Sequence, residues 1–287
     1  MPARVTPRQE RIAGHLGEGR SAAQNGDWVA ASRSWIEAAK LGSLDGANLV
    51  SRTAAPHVKQ AADAGDTEAQ AVLAGILMDF FDESAFPMAA GYAARAAGAG
   101  SAEAQRTLGF MYDQGIGVEQ DSGRAAELWA EASRGGDGYA AFNLAGLHRK
   151  GEVLLSGEEE CNQLLILAAE RGVIEAGAVL GNRLAAVDRD QEALTWYLWS
   201  AERGEPGSMF AAACWYRDGI GTPRDPVQAM RWYFTMLDHG NGDGVHEAIE
   251  LAKSGMTDEQ IREAARLAGR PGDAEATIHV LRRYRDA

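Results

Sequence analysis

Small residues recur along the chain at a regular interval, and each recurrence ends at a glycine. The repeated string is two small residues, two variable residues and a glycine, and its glycines are Gly42, Gly65, Gly100, Gly136, Gly172, Gly204 and, in a looser copy, Gly240. Successive glycines are separated by 23, 35, 36, 36, 32 and 36 positions. Such a period predicts one supersecondary unit that is repeated in series.

Small and hydrophobic residues also keep fixed positions relative to each glycine. The fourth residue after it is usually alanine, and the eighth is usually leucine. Offsets of four, eight and twelve lie on one side of a helix, so we predict a helix after each glycine that packs through one face; we call it helix A. Large residues seven or eight positions before the glycine indicate a second helix, helix B, and these are Trp35, Tyr92, Trp129, Leu164, Trp196, Tyr197, Trp232 and Tyr233.

The sequence also predicts the turns between these helices. A glycine after the last turn of a helix can adopt the left-handed conformation that ends the helix. Asp66, Ser101 and Asp137 directly follow such glycines and are predicted to cap helix A. Asp121 and Asp225 close two glycine-containing loops and are predicted to cap helix B. The pattern as a whole predicts an all-α solenoid of helix pairs.

Two segments resemble a known repeat. Residues 104–112 (AQRTLGFMY), with GIGV at 115–118, Asp121 and Trp129, resemble the Sel1-like repeat, a relative of the tetratricopeptide repeat. Residues 205–240 are similar to the same motif. The resemblance extends over residues 28–254 and implies a right-handed αα-superhelical solenoid of about six repeats.

The sequence departs from this repeat at three places. Val187 stands where a loop glycine belongs, and residues 82–85 (DESA) replace the glycine loop of the unit after Gly65. The unit between Gly42 and Gly65 is about twelve residues shorter than the others.

The two ends do not follow the repeat. We therefore predict an N-terminal helical arm at residues 1–27, the Sel1-like solenoid at residues 28–254 and C-terminal capping helices at residues 255–287. Thr257 and Gln260 have the spacing of a capping box and predict the start of one such helix. Solenoids need terminal caps with a polar outer face, and this tail fits that requirement.

Composition and charge narrow the class of protein. The chain has 287 residues, of which 46% are hydrophobic and 24% charged, as in a globular protein of one or two domains. Its formal charge of −13 disfavours binding to a phosphate backbone, so we expect no nucleic-acid partner. No apolar run is long enough for a membrane span, and no apolar run follows the first residues as in a secretory signal. The predicted location is the cytoplasm.

Residues that could carry chemistry are sparse. Cys161 and Cys214 are far apart and form no CxxC motif, so neither a disulfide framework nor a zinc site is indicated. His246 and Glu247 begin like a zinc-protease helix, but the second histidine is missing. We expect no metal, no cofactor and no enzymatic activity.

A partner surface is predicted on the face of helix A that packing leaves open. Offsets three, six, ten and thirteen lie opposite the packing positions, and the resemblance implies that helix A lines the concave side of the solenoid. Aromatic residues and arginine on such a face are typical of interfaces. The candidate residues at these offsets are Arg106, Phe110, Asp113, Tyr139, Phe142, Arg149, Asn182, Phe210 and Arg217.

Two interpretations of these aromatics are open. The phenylalanines Phe110, Phe142 and Phe210 either anchor a partner or are buried against neighbouring A helices. Trp199 and Trp215 are additional to the repeat, so they either form a secondary interface or thicken a C-terminal core.

Two functional hypotheses follow. The first is a non-enzymatic scaffold or adaptor that binds a peptide, helix or domain of another protein, with a regulatory or complex-assembly role in bacteria. The second is a small-molecule sensor built on the same solenoid. The pattern does not define an oligomeric state.

Overall fold

The prediction of an all-α protein is confirmed. A computed structural model describes residues 6–153, 155–239 and 242–285, and over these ranges the chain forms helices joined by short turns, with no β-strand. The looser repeat copy that ends at Gly240 lies outside the described residues. No helix in the described ranges is long and apolar enough to cross a bilayer.

The chain divides into two compact units at Leu164, within helix α10. Unit 1 contains α1 (Pro7–Gln24), α2 (Trp28–Lys40), α3 (Leu44–Asn48), α4 (Ala55–Asp63), α5 (Thr67–Phe80), α6 (Phe86–Gly98), α7 (Ala102–Gln114), α8 (Ser122–Arg134), α9 (Gly138–Lys150) and the first part of α10 (Glu158–Glu170). A π-helical segment, Leu49–Ala54, joins α3 to α4, and a short 3₁₀ helix, Glu83–Ala85, precedes α6.

Unit 2 is helical in the same way. It contains α11 (Ile174–Ala185), α12 (Asp190–Ala201), α13 (Pro206–Asp218), α14 (Pro226–Met236), α15 (Asp243–Lys253), α16 (Asp258–Leu267) and α17 (Pro271–Arg285). A 3₁₀ turn, Leu237–His239, follows α14. In both units each helix mainly contacts the helices next to it in sequence, as expected for a solenoid.

The large residues of helix B are buried against small residues of helix A. Trp129 on α8 is only 2% exposed, and its indole N–H donates to the backbone oxygen of Arg106 on α7 at 3.0 Å. A Cβ placed on Gly109 would lie 2.6 Å from the indole Nε1, so the helices can approach this closely only because residue 109 has no side chain. Gly181 and Tyr197 make the same kind of contact between α11 and α12.

The N-terminal helices pack through this contact too. Trp35 on α2 is 2% exposed, its indole N–H donates to the oxygen of Leu16 on α1 at 3.4 Å, and its ring lies directly against Gly19. Helix α1 therefore pairs with α2 in the manner in which α7 pairs with α8.

The predicted turns are confirmed where the structure describes them. The glycines at 42, 65, 100, 136, 172 and 204 have φ between 87° and 97°, which is the left-handed region that side chains disfavour. At each turn the residue after the glycine donates its N–H to a carbonyl five residues back, as from Asp137 to Ala132 at 3.0 Å. This bond satisfies a carbonyl at the end of helix B.

The predicted caps are confirmed as well. The side chains of Asp66, Ser101 and Asp137 each accept a hydrogen bond from the backbone N–H three residues later. Asp121 and Asp225 cap α8 and α14. Thr257 and Gln260 form the capping box that opens α16.

The short unit between Gly42 and Gly65 has a structural consequence. Instead of a helix pair it forms one helical stretch from Leu44 to Asp63, with the π-helical segment in the middle. One helix thus replaces two, and α2, the B partner of α1, contacts the A helix α5, which in turn contacts α7. The pair α1–α2 is thereby placed beside the A helices of unit 1.

Candidate binding cavity

Unit 1 contains a cavity of about 610 Å³. Five helices contribute to its wall: α1 and α2 on one side, and the A helices α5, α7 and α9 on the other. The cavity follows from the short unit described above, because that unit brings α2 next to α5. A volume of this size is within the range that binding pockets usually have.

Apolar and aromatic side chains cover part of the wall. Ile36, Val72 and Met78 line it, together with Phe110 and Tyr139, which are 40% and 56% exposed. Aromatic side chains of this kind supply most of the contact energy where proteins bind one another.

The glycine of α5 opens the floor of the cavity. Gly75 lies at the offset that Phe110 occupies in the next unit, and a Cβ placed on it would meet no atom within 4 Å. The space next to this glycine is therefore free for an incoming group.

Ion pairs connect the two sides of the cavity. Arg33 on α2 donates two hydrogen bonds to the carboxylate of Glu103 on α7, at 3.2 and 2.7 Å, and one to Glu68 on α5 at 3.4 Å. The hydrogen bond with Glu103 raises the pKa of Arg33, and desolvation opposes it in part. A bidentate pair with this geometry positions α2 relative to α7.

Arg106 links the cavity to the turn that precedes α9. Its Nε donates to Asp137 at 2.9 Å, and its guanidinium lies 5.9 Å from the centroid of the Tyr139 ring. Three of the predicted partner-binding residues, Arg106, Phe110 and Tyr139, are thus brought together in one wall.

Sequence reasoning missed the other half of this site. His15 on α1 precedes residue 28, where the resemblance begins. Arg33 and Lys40 lie on α2, which is a B helix, whereas the candidates at the open-face offsets were taken from A helices only. The signal that could have found them is a glycine, Gly19, that precedes a buried tryptophan on the following helix.

Asp113 does not lie on the open face of helix A, where its offset predicts it. Its side chain is 6% exposed, although its offset predicts a position that faces away from the packed side. The residue lies in the last turn of α7, where the loop to α8 folds back over it, and Gln120 donates to its backbone oxygen at 2.7 Å. The offset rule assumes a continuing helix and fails where the chain turns.

Phe142 and Arg149 lie on α9 outside the cavity. Phe142 is half-buried, whereas Arg149 is exposed. Neither residue lines the cavity, and no contact described here joins them to Phe110 or Tyr139.

The remaining candidates lie in unit 2, and most of them contact a tyrosine side chain. Phe210 is 41% exposed and packs at 6.3 Å against the ring of Tyr233. Arg217 pairs with Asp218 at 2.8 Å and approaches the hydroxyl of Tyr233 at 3.4 Å. Burial is the main cause that raises the pKa of Tyr233, and the neighbouring Cys214 thiol adds to it.

The other two candidates of α11 and α13 meet at Tyr197. Asn182 accepts a hydrogen bond from the Tyr197 hydroxyl at 2.7 Å, and Trp215 contacts the Tyr197 ring edge-on at 5.1 Å. Trp215 also packs against the core of unit 2. Both residues therefore support the local packing of α11, α12 and α13.

Trp199 is half-buried on α12. The guanidinium of Arg203 lies 4.1 Å from its ring centroid, and Trp196 meets it edge-on at 5.9 Å.

Over the described ranges, no group of three or more histidine, cysteine or acidic residues could hold a metal ion.

Comparison with known proteins identifies the repeat. The profile of the Sel1 repeat matches residues 102–137, 138–173 and 206–241, which correspond to the pairs α7–α8, α9–α10 and α13–α14. A Sel1 repeat protein from Oxalobacter formigenes has a similar crystal structure, with 22% identity, a TM-score of 0.62 and coverage of 84% of this chain and 76% of that chain.

Two further proteins are also similar to this chain. A protective antigen of uropathogenic Escherichia coli with an SLR fold aligns with 95% of this chain and 72% of its own at 22% identity and a TM-score of 0.47. The chitin synthase regulator SKT5 of Malassezia restricta is 26% identical over 149 residues, which are 52% of this chain and 8% of the regulator. The chain therefore spans less than a tenth of the length of that curated relative.

These findings confirm the predicted all-α solenoid, while the number of repeats and the hand of the superhelix stay predictions. The first and third of these matched units contain the left-handed loop glycines, the helix caps and the buried aromatic residues on which the resemblance was based. The chain accordingly contains three Sel1 repeats, at residues 102–173 and 206–241, in a solenoid fold similar to that of a solved Sel1 repeat protein.

Proposed function

We propose that this chain is a non-enzymatic scaffold or adaptor, and that a segment of its partner protein docks in the cavity of unit 1. Sel1 repeat proteins generally mediate protein–protein interactions, and the name of the fungal relative, a regulator, fits a regulatory role. The proposed setting is a complex in the bacterial cytoplasm, with no nucleic acid among the partners.

The cavity is the observation that carries this proposal. The exposed rings of Phe110 and Tyr139 line it from the A helices α7 and α9, and polar residues of α1 and α2 lie opposite them. This lining supports docking on the open face of helix A. Phe142, Arg149 and the candidates of unit 2, namely Asn182, Trp199, Phe210, Trp215 and Arg217, are kept in the proposal as secondary contacts.

Filling the cavity tests the proposal without harming the fold. Gly75→Leu adds a side chain where no atom lies within 4 Å of the new Cβ, and it replaces a glycine inside a helix, so we expect an unchanged or higher melting temperature. Partner binding should weaken by about 30-fold or more, since the docking volume is occupied. The partner is first isolated from the host with the intact chain, and its Kd is then measured with purified proteins.

Gly146→Leu is the matched control. Gly146 has the same offset on α9 as Gly75 on α5, and a Cβ on it also meets no atom within 4 Å, but it does not line the cavity. The control should bind the partner as the intact chain does. Equal affinities of the Gly75→Leu and Gly146→Leu variants would show that the partner docks elsewhere.

A small-molecule sensor is the second candidate function, and the volume of the cavity favours it. A ligand at 100 times its Kd stabilises the folded chain by about 2.7 kcal/mol, which raises the melting temperature of a protein of this size by about 5–11 °C. The measurement is a thermal-shift screen with metabolite fractions on the intact chain and on Gly75→Leu. A shift in the intact chain alone would support the sensor, and no shift in any fraction would argue against it.

A further inference from the structure

Within the described part of the cavity wall every arginine and lysine has an acidic partner, whereas one carboxylate has no basic partner. Arg33 binds Glu103 and Glu68, Lys40 binds Glu37 at 2.8 Å, and Arg106 binds Asp137. On α1, Glu18 lies 3.3 Å from His15. The wall thus has no cation left to receive an anionic group.

Asp79 is the carboxylate of the wall that lacks a partner. Among the described residues no hydrogen bond or ion pair reaches it, and it lies at the end of α5 facing the cavity. Asp79 is exposed to solvent, but partial desolvation by the surrounding wall raises its pKa, and the positive charge of Lys40 opposes that shift. A carboxylate in such surroundings gains from an added positive charge.

Apolar surface and free space lie directly beside this carboxylate. Gly75 and Asp79 are four positions apart on α5, so they lie on one face and about one helical turn from each other. Ile36 and Met78 border the same space. A long side chain can lie along this surface, with its methylene groups over Gly75 and its charged end at Asp79.

We infer that the cavity selects partner segments by a lysine or arginine, whose apolar stem lies over Gly75 and whose charged end pairs with Asp79. An adjacent apolar residue of the segment packs against Phe110. This inference rests on the proposed function, because it names the chemistry of the same site. The formal charge of −13 on the chain adds an attraction at long range for such a basic segment.

Selection from a random peptide library tests this inference. Phage-displayed twelve-residue peptides are selected on the intact chain, and clones that also bind Gly75→Leu are discarded. We expect the remaining clones to contain lysine or arginine next to an apolar residue. Their Kd values, measured with synthetic peptides, should be about tenfold or more weaker for Asp79→Asn.

Two controls make this result specific. Asp188→Asn removes the same charge from an exposed residue of unit 2, and its φ of 58° suits asparagine, so it should change the Kd less than twofold. Replacing the basic residue of the peptide with glutamine should weaken binding to the intact chain about as much as Asp79→Asn does. In the Asp79→Asn protein the same replacement should have little further effect.

The possible failures are distinguishable. Clones that need an open Gly75 but lack basic residues, or that bind Asp79→Asn as well as the intact chain, would overturn the inference and leave the cavity as a docking site. If no clone distinguishes the intact chain from Gly75→Leu, the inference and the proposed docking site both fail.

Discussion

Trp129→Ala is expected to destabilise unit 1 by about 3–5 kcal/mol. The ring is almost fully buried between α7 and α8, and its removal leaves a cavity whose walls are two regular helices. The backbone oxygen of Arg106 also loses the indole N–H as its donor. Because neighbouring repeats stabilise one another through their interfaces, the loss should spread beyond this pair. Urea unfolding followed by circular dichroism measures the effect.

A second substitution shows whether the contact with Gly109 is the cause. In the intact chain Gly109→Ala should destabilise, because its Cβ would lie 2.6 Å from the indole nitrogen of Trp129. In the Trp129→Ala background the same change should stabilise by about 0.5–1 kcal/mol, since alanine favours a helix over glycine. A Gly109→Ala effect with the same sign in both backgrounds would contradict the close packing described here.

Local features of this fold could be predicted from the sequence because each has a local physical cause. A glycine at the end of a helix adopts positive φ wherever the chain reverses, and an aspartate or serine after it caps the next helix. The burial of Trp35, Trp129 and Tyr233 likewise follows from their fixed position relative to these glycines. Such features depend on few neighbours, so one sequence suffices to find them.

The cavity could not be predicted, since it depends on how distant helices meet. The sequence shows that the unit after Gly42 is short, but not that a single helix with a π-helical segment replaces the pair. That replacement brings α2 beside α5 and places Arg33 opposite Glu103, which is 70 positions away. No periodicity within one repeat contains this information.

The residues of the candidate site were likewise predictable only where they depend on regular helix geometry. The offset rule found Arg106 and Phe110 on α7 and Tyr139 on α9, which lie on the corresponding faces of two regular A helices. It placed Asp113 incorrectly, where helix α7 ends. It also omitted Asp79, because the rule considers only positions that recur in every unit. The lack of a partner for Asp79 depends on which residues surround it in the folded structure, and no repeated position contains that information.

Gly117→Ala is expected to destabilise unit 1 by about 2–4 kcal/mol. Gly117 lies in the loop between α7 and α8 with a φ of 69°, and a Cβ on it would lie 2.5 Å from the carbonyl carbon of Phe86 and 2.9 Å from the nitrogen of Pro87. These are backbone atoms at the start of α6, so the clash can be relieved only if the loop moves away from the preceding helix pair. Gly221 meets Asp190 in unit 2 in the same way.

Gly115→Ala separates the clash from the cost of the backbone conformation. Gly115 is in the same loop with a φ of 68°, but its nearest contact for a Cβ is a side-chain carbon of Gln120 at 3.4 Å. This control should therefore cost only about 1–2 kcal/mol, the penalty of the left-handed conformation itself. Urea unfolding of both variants gives the comparison. If the two substitutions cost the same, the loop does not hold α6 against α7 and α8; a larger cost for Gly117→Ala would identify the second glycine of the loop as the residue that lets consecutive repeats pack.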